Sequence, residues 1–143
     1  MSENKMIVLW SVIIIVLLGF FYLNPMPYKL ESAKGLGDAV RIGTEVYNQA
    51  NLDKFVESVA AKKTADIRVV NYNEANQAVI YRMAYDGYNI KLTIDARRDK
   101  SIKDFWKIYK SIYASIEKVQ GVSGAEYFLT IPESEKKLIF SGK

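Results

Sequence analysis

The chain has 143 residues, with 20 lysines and arginines against 16 aspartates and glutamates, and contains neither histidine nor cysteine. Those two absences remove histidine acid–base catalysis, Ser-His-Asp and Cys-His nucleophiles, and ordinary zinc sites. The formal charge of +4 is mild; the basic residues are spread along the chain and no nucleic-acid motif accompanies them, so nucleic acid is not an expected partner.

Residues 6–23 read MIVLWSVIIIVLLGFFYL, without one side chain charged at neutral pH. As a helix this run extends about 27 Å, close to the ~30 Å of a bilayer's hydrocarbon core. Trp10 lies near one end, and Tyr22 at the other suits the headgroup level. A cleaved signal peptide needs a basic start, a shorter apolar stretch and small residues at the cut. Here Glu3 offsets Lys5, and Asn24-Pro25-Met26-Pro27 follows the run. A lipoprotein needs a cysteine, and a pilin-like start needs Gly before the run and Glu just inside it. A buried core helix fits poorly with so long an uncharged run. The expectation is an uncleaved anchor, with the lipid bilayer as partner of residues 6–23.

Sidedness is contested within the sequence. Lys5 and the amino terminus stand on one side of the run, Lys29, Lys34 and Arg41 on the other, which taken literally favours a cytoplasmic domain. The usual behaviour of a single anchor near the N-terminus favours the opposite. The expected organisation is a tail at 1–5, a transmembrane helix at 6–23, a Pro- and Gly-bearing linker at 24–37, and an extracytoplasmic α+β domain at 38–143.

Within the domain, Asp38 to Ile42 reads as a short strand. Leu52, Phe55, Val56 and Val59 recur at helical spacing, which predicts a helix over 51–63. Asn51 serves as its N-cap, Asp53 sits in its first turn, and Lys62 and Lys63 in its last. Residues 67–72, 78–85 and 90–95 are β-branched, aromatic or alternating, and predict three antiparallel strands. Asn73 to Asn76 and Asp86-Gly87 supply the turns. Residues 103–118 fit two patterns. Phe105, Ile108, Tyr109, Ile112, Tyr113 and Ile116 make a helical stripe, while Trp106, Ile108, Ile112, Ala114 and Ile116 share one face of a strand. After a turn at 121–124, Tyr127, Leu129 and Ile131 alternate toward Pro132, and 138–140 suits an edge strand. The fold class is α+β: one N-terminal transmembrane helix, then a small mainly antiparallel sheet packed by one helix, with 103–118 a second helix on the other reading. Phe55, Val56, Val59, Tyr81, Leu92 and Leu129 are the expected core.

Asp95, Arg97, Arg98 and Asp99 form the densest charge cluster, and arginine suits bidentate contacts with an anionic ligand. Tyr85 and Tyr88, with Tyr72 and Tyr81, surround a hairpin and resemble an interface surface. These six, Asp95, Arg97, Arg98, Asp99, Tyr85 and Tyr88, are the candidate ligand- or partner-binding residues. The bland alternatives are a solvated turn and ordinary sheet packing. Ser111 and Ser115 near Lys107 and Lys110 match a Ser-Lys pair only in composition. No catalytic residue, cofactor or metal is expected, since any metal would need carboxylate ligands and no D-x-[DN]-x-[DN]-G loop is present.

Several stretches together resemble a known family. They are Gly37-Asp38-Ala39-Val40, Val46-Tyr47-Asn48 with Leu52-Asp53-Lys54-Phe55, Ile67-Arg68-Val69, and Tyr85-Asp86-Gly87 with Ile90-Lys91. Asp95-Ala96-Arg97-Arg98-Asp99-Lys100, Lys110-Ser111-Ile112 and Glu126-Tyr127-Phe128-Leu129-Thr130 complete the set. The resemblance is to small lipoproteins of Firmicute bacteria whose domain has no assigned function, and spans most of residues 35–131. It implies an extracytoplasmic α+β domain at the outer membrane face, and it leans residues 107–117 toward strand. This chain departs from the family in its anchor, an apolar helix in place of a lipidated cysteine. The late paired cysteines are absent too. The resemblance brings no catalytic residues.

The leading expectation is a non-catalytic, membrane-anchored extracytoplasmic domain that binds at the bacterial cell envelope, with another envelope protein or an anionic envelope polymer as partner. The alternatives are a single-pass accessory subunit of a larger membrane complex and an envelope enzyme without histidine or cysteine. Ser11 and Gly19 fall on roughly one side of the helix, but no GxxxG face supports helix pairing.

Overall fold

A computed structural model describes residues 2–132 and 136–143. Met1 of the tail and residues 133–135 of the domain lie outside the described residues. Helix α1 (Glu3–Leu23) has no buried residue. Its 21 residues span about 31 Å, and by length and composition it can cross a membrane. Ser11, its internal polar residue, donates its hydroxyl to the Ile7 carbonyl at 2.9 Å, so that group is satisfied within the helix.

The chain then forms α2 (Leu30–Gly35), β1 (Ala39–Ile42), β2 (Glu45–Tyr47), α3 (Gln49–Ala60), β3 (Ala65–Tyr72), β4 (Ala78–Tyr85), β5 (Ile90–Asp95), β6 (Ile108–Tyr113), β7 (Ser115–Gly121), β8 (Gly124–Thr130) and β9 (Lys137–Ser141). Six strands make one sheet in the order β2-β1-β3-β4-β5-β6, and β7-β8-β9 make a second. Every pairing is antiparallel except β1 with β3. Parallel neighbours need a crossover, and α3 provides it.

One face of the large sheet is closed by α3 and the small sheet. Leu52, Phe55 and Val59 of α3, Val69, Met83, Tyr85, Ile90 and Leu92 of the large sheet, and Ile116, Tyr127, Leu129 and Phe140 of the small one share this core. Asp53 ties the layers at the rim, accepting from Tyr127 Oη at 2.6 Å and Lys118 Nζ at 2.8 Å. The other face is closed only along half its length. There Val40, Val70, Ala78 and Ile80 lie under Tyr28, Leu30 and Ala33 of the segment that follows α1. Strand β4 records the difference: Met83 and Tyr85 are buried on the first face, whereas Ala78 and Ile80 are buried but Arg82 and Ala84 exposed on the second.

Several expectations change. Residues 103–118 contain no helix; β6 and β7 take their place. The isoleucine stripe that fits a helix is overridden by pairing of β6 along β5 and β7 along β8. Ala114 joins them, its N–H donating to the Thr130 carbonyl at 2.9 Å, so this stretch passes from one sheet to the other, as strands do at sheet corners. The helix expected at 51–63 runs Gln49–Ala60 with Asn48 as its N-cap residue. Asn51 lies inside it, donating Nδ2 to the Gly37 carbonyl at 2.8 Å. Lys62 takes a left-handed conformation (φ 53°). The Lys62 and Lys63 amides return to Val59 and Ser58, closing the helix in a Schellman arrangement before either lysine joins it. Val56 and Tyr81 are half-buried and pack against the core from its margin; Val56 lies beside the Leu52, Phe55 and Val59 stripe that α3 buries. Helix α2, strand β2 and the division into two sheets were not expected.

Candidate binding surface

The expected site residues do not form one site. Asp95 and Tyr85 occupy opposite ends of the β4–β5 pair, where Ile80 faces Asp95 and Tyr85 faces Ile90. Tyr85 is buried in the core, and Tyr88, at the hairpin tip, is exposed. Asp99 is buried beside the turn and accepts from the Ser101 hydroxyl at 2.6 Å. Lys107 donates to the Asp99 carbonyl at 3.0 Å.

Asp95, Arg97 and Arg98 do come together, around partners within the chain. The Asp95 carboxylate is 1% exposed. It accepts from Arg97 Nε at 2.9 Å and Nη2 at 2.8 Å, and from Arg98 Nη1 at 3.3 Å. Burial pushes this carboxyl up, but the hydrogen bonds from Arg97 and the charges of both arginines outweigh it and hold the pKa at about 2. The same guanidinium groups reach the segment leaving α1. Arg97 Nη1 donates to the Tyr22 carbonyl at 2.6 Å, and Arg98 Nε to the Met26 carbonyl at 2.9 Å. Arg97 also lies over the Tyr22 ring at 4.8 Å. A helix leaves its last carbonyls without partners inside the helix and carries partial negative charge there; Arg97 answers both. The cluster is a clasp joining the domain to the end of α1.

A second knot continues it. Tyr28 Oη donates to Asp38 Oδ2 at 2.6 Å, and Arg68 Nε donates to Asp38 Oδ1 at 2.8 Å. Tyr72 Oη donates to the Tyr28 carbonyl at 2.7 Å. Burial and the bond to Asp38 push the Tyr28 phenol up to about 12.

Beyond this knot the sheet face opens into a concavity of about 740 Å³, whose lining includes Lys54, Arg68, Arg82 and Lys91 against Asp38 and Asp66. Its charge follows from register. Arg68 faces Arg82, Arg82 faces Thr93, and Ala84 faces Lys91, so these side chains share the half of the face that nothing covers. Arg68 is paired with Asp38. Among the described residues, Arg82, Lys91 and Lys54 have no carboxylate within ion-pair distance. Like charges directly opposite across strands are destabilising, so the arrangement costs stability while presenting cations to solvent. These residues were missed as a site. The Asp86-Gly87 turn held the signal: once it fixes Tyr85 opposite Ile90, Arg82 and Lys91 fall on one face.

Among the described residues no group of three or more acidic side chains is arranged to hold a metal ion. The surface can bind anions by charge and by guanidinium hydrogen bonds. No curated protein and no solved structure matches this chain. A family model described as a domain of unknown function (DUF4362) matches residues 37–128, from the glycine that accepts from Asn51 to the middle of β8; the chain belongs to that family.

Proposed function

We propose that this protein is a membrane-anchored, extracytoplasmic binding domain of the bacterial cell envelope, non-catalytic, that holds an anionic envelope polymer on the open half of its large sheet. The observation that carries this reading is the concavity lined by Lys54, Arg68, Arg82 and Lys91. Its unpaired cations suit a repeating phosphate or carboxylate better than a neutral ligand. The apolar α1 and the resemblance to Firmicute lipoproteins support placing residues 25–143 outside the cytoplasm, against the adverse lysine and arginine count.

The full chain in detergent, titrated with a poly(glycerol phosphate) probe, should bind in a salt-dependent manner. The double variant Arg82→Glu/Lys91→Glu should weaken binding at least tenfold, about 1.4 kcal/mol, with an unchanged circular-dichroism spectrum. Equal binding by the double variant would remove the concavity from the reading. Protease added to intact, wall-stripped cells should digest the domain while a cytoplasmic control survives; protection would place it inside.

A further inference from the structure

We propose that the loop joining β5 to β6 is a second membrane contact, in which Phe105 and Trp106 enter the headgroup region of the bilayer that α1 crosses. This rests on the anchoring role of α1 and goes beyond it: Arg97 and Arg98 clasp the domain to the carbonyls of Tyr22 and Met26, and the loop would give that clasped domain its own hold on the lipid.

The two rings are adjacent and conspicuously unburied. Phe105 is 67% and Trp106 65% exposed, and they meet edge to face with centroids 5.0 Å apart. Large aromatic side chains usually dominate cores and interfaces; this pair belongs to neither core cluster of the domain. Its position follows from hydrogen bonds. The Ala96 amide donates to the Lys107 carbonyl at 2.8 Å, which closes the loop at its base. Trp106 precedes Lys107, and Arg97 follows Ala96. Arg97 is the residue that donates to the Tyr22 carbonyl at the end of α1. The aromatic pair is therefore held at the end of the sheet from which the apolar helix departs, near the level of Tyr22. Met26, 81% exposed with its carbonyl bonded to Arg98, adds an apolar side chain at this end.

The charges of the loop favour lipid over a protein partner. Asp104 accepts from Tyr109 Oη at 2.6 Å, and Lys107 is turned to the Asp99 carbonyl. Lys100 and Lys103 are exposed and have no carboxylate partner among the described residues. Tryptophan beside lysine, next to the end of a spanning helix, is the composition of the bilayer interface. The contact would hold the strands with their Asp95 ends toward the bilayer. The concavity, which reaches Lys91 four residues back along β5, would then open roughly 13 Å farther out.

The chain has two tryptophans, which makes the test direct. The full-length Trp10→Phe protein, reconstituted in vesicles of phosphatidylcholine and phosphatidylglycerol, reports on Trp106 alone, and Trp106→Phe reports on Trp10. Lipids brominated near the headgroup should quench Trp106, with its emission shifted to the blue. Lys100→Glu with Lys103→Glu should reduce that quenching in the anionic vesicles. Trp10 quenched while Trp106 emits as in water would overturn the second contact and leave the anchor standing. A blue-shifted but unquenched Trp106 would place it against protein and overturn the lipid assignment. An unquenched Trp10, with brominated lipids of every depth, would overturn the anchor itself and this proposal with it.

Discussion

The domain carries two groups of cations, one in the turn after β5 and one around the concavity, and they differ in what answers their charge. Arg97 and Arg98 enclose the buried Asp95, and each donates one further bond, to the carbonyls of Tyr22 and Met26 respectively. Arg82, Lys91 and Lys54 face an open concavity with no carboxylate within ion-pair distance among the described residues. The first group is dense in sequence and satisfied in space; the second is dispersed in sequence and unsatisfied in space. Charge crowded along a turn reports mainly on the turn. Charge aligned across strands reports on a surface.

The satisfied group depends most on Asp95. Asp95→Asn removes the only carboxylate among the described residues that is ion-paired with the two arginines, and leaves both guanidinium charges largely out of water. Breaking a buried pair from one side costs about 3–5 kcal/mol, a large part of the ~5–15 kcal/mol that holds a domain together. Urea denaturation should show the loss as a lower midpoint. The same measurement on Tyr88→Ala, at an exposed hairpin tip, should stay within about 0.5 kcal/mol of the parent.

Titration gives the next largest effect. Asp95 is held at about 2 against an ordinary 3.8. A lowered carboxyl pKa contributes stability that is complete above 3.8 and disappears as pH falls toward 2. The loss through that window should be about 2 kcal/mol from this group. The lowered values of Asp53, Asp86 and Asp99 act with the same sign. Tyr28 acts at the opposite end of the scale. Its phenol is raised from 10.0 to about 12, so its contribution is complete below pH 10 and is lost as pH rises toward 12. Denaturation midpoints measured across both windows check the two signs, and Asp95→Asn should flatten much of the acid limb.

How much of this was legible in the sequence depends on the range of the signal. The apolar run of α1, the α3 stripe of Leu52, Phe55 and Val59, and the three strands β3 to β5, the last two joined at Asp86-Gly87, are local patterns, and all are present. The fate of residues 103–118 was not local. Their isoleucines suit either period, and partners on β5 and β8 decide it. The site divides in the same way. The Asp95 cluster stood out because its members are neighbours in the chain, but the carbonyls that occupy its arginines lie more than seventy residues away. The concavity required the register of Arg68 with Arg82 and of Ala84 with Lys91, on strands that are individually unremarkable.

The smallest predicted effect tests whether the second group exists for binding. Arg68 and Arg82 are directly opposite on β3 and β4, and Asp38 neutralises only Arg68 within ion-pair distance. Arg82→Gln retains a long polar side chain, removes one of the facing charges and leaves the Arg68–Asp38 pair in place. Relief of a like-charge cross-strand pair lies in the range of about 0.2–1 kcal/mol, and solvent exposure of Arg82 puts the expected gain at the low end. The variant should therefore denature at slightly higher urea, while its affinity for an anionic polymer falls. A gain in stability with a loss in binding is the signature of a charge kept for a ligand rather than for the fold. If Arg82→Gln destabilises the domain instead, Arg82 is a structural residue, and the contrast between satisfied and unsatisfied cations collapses.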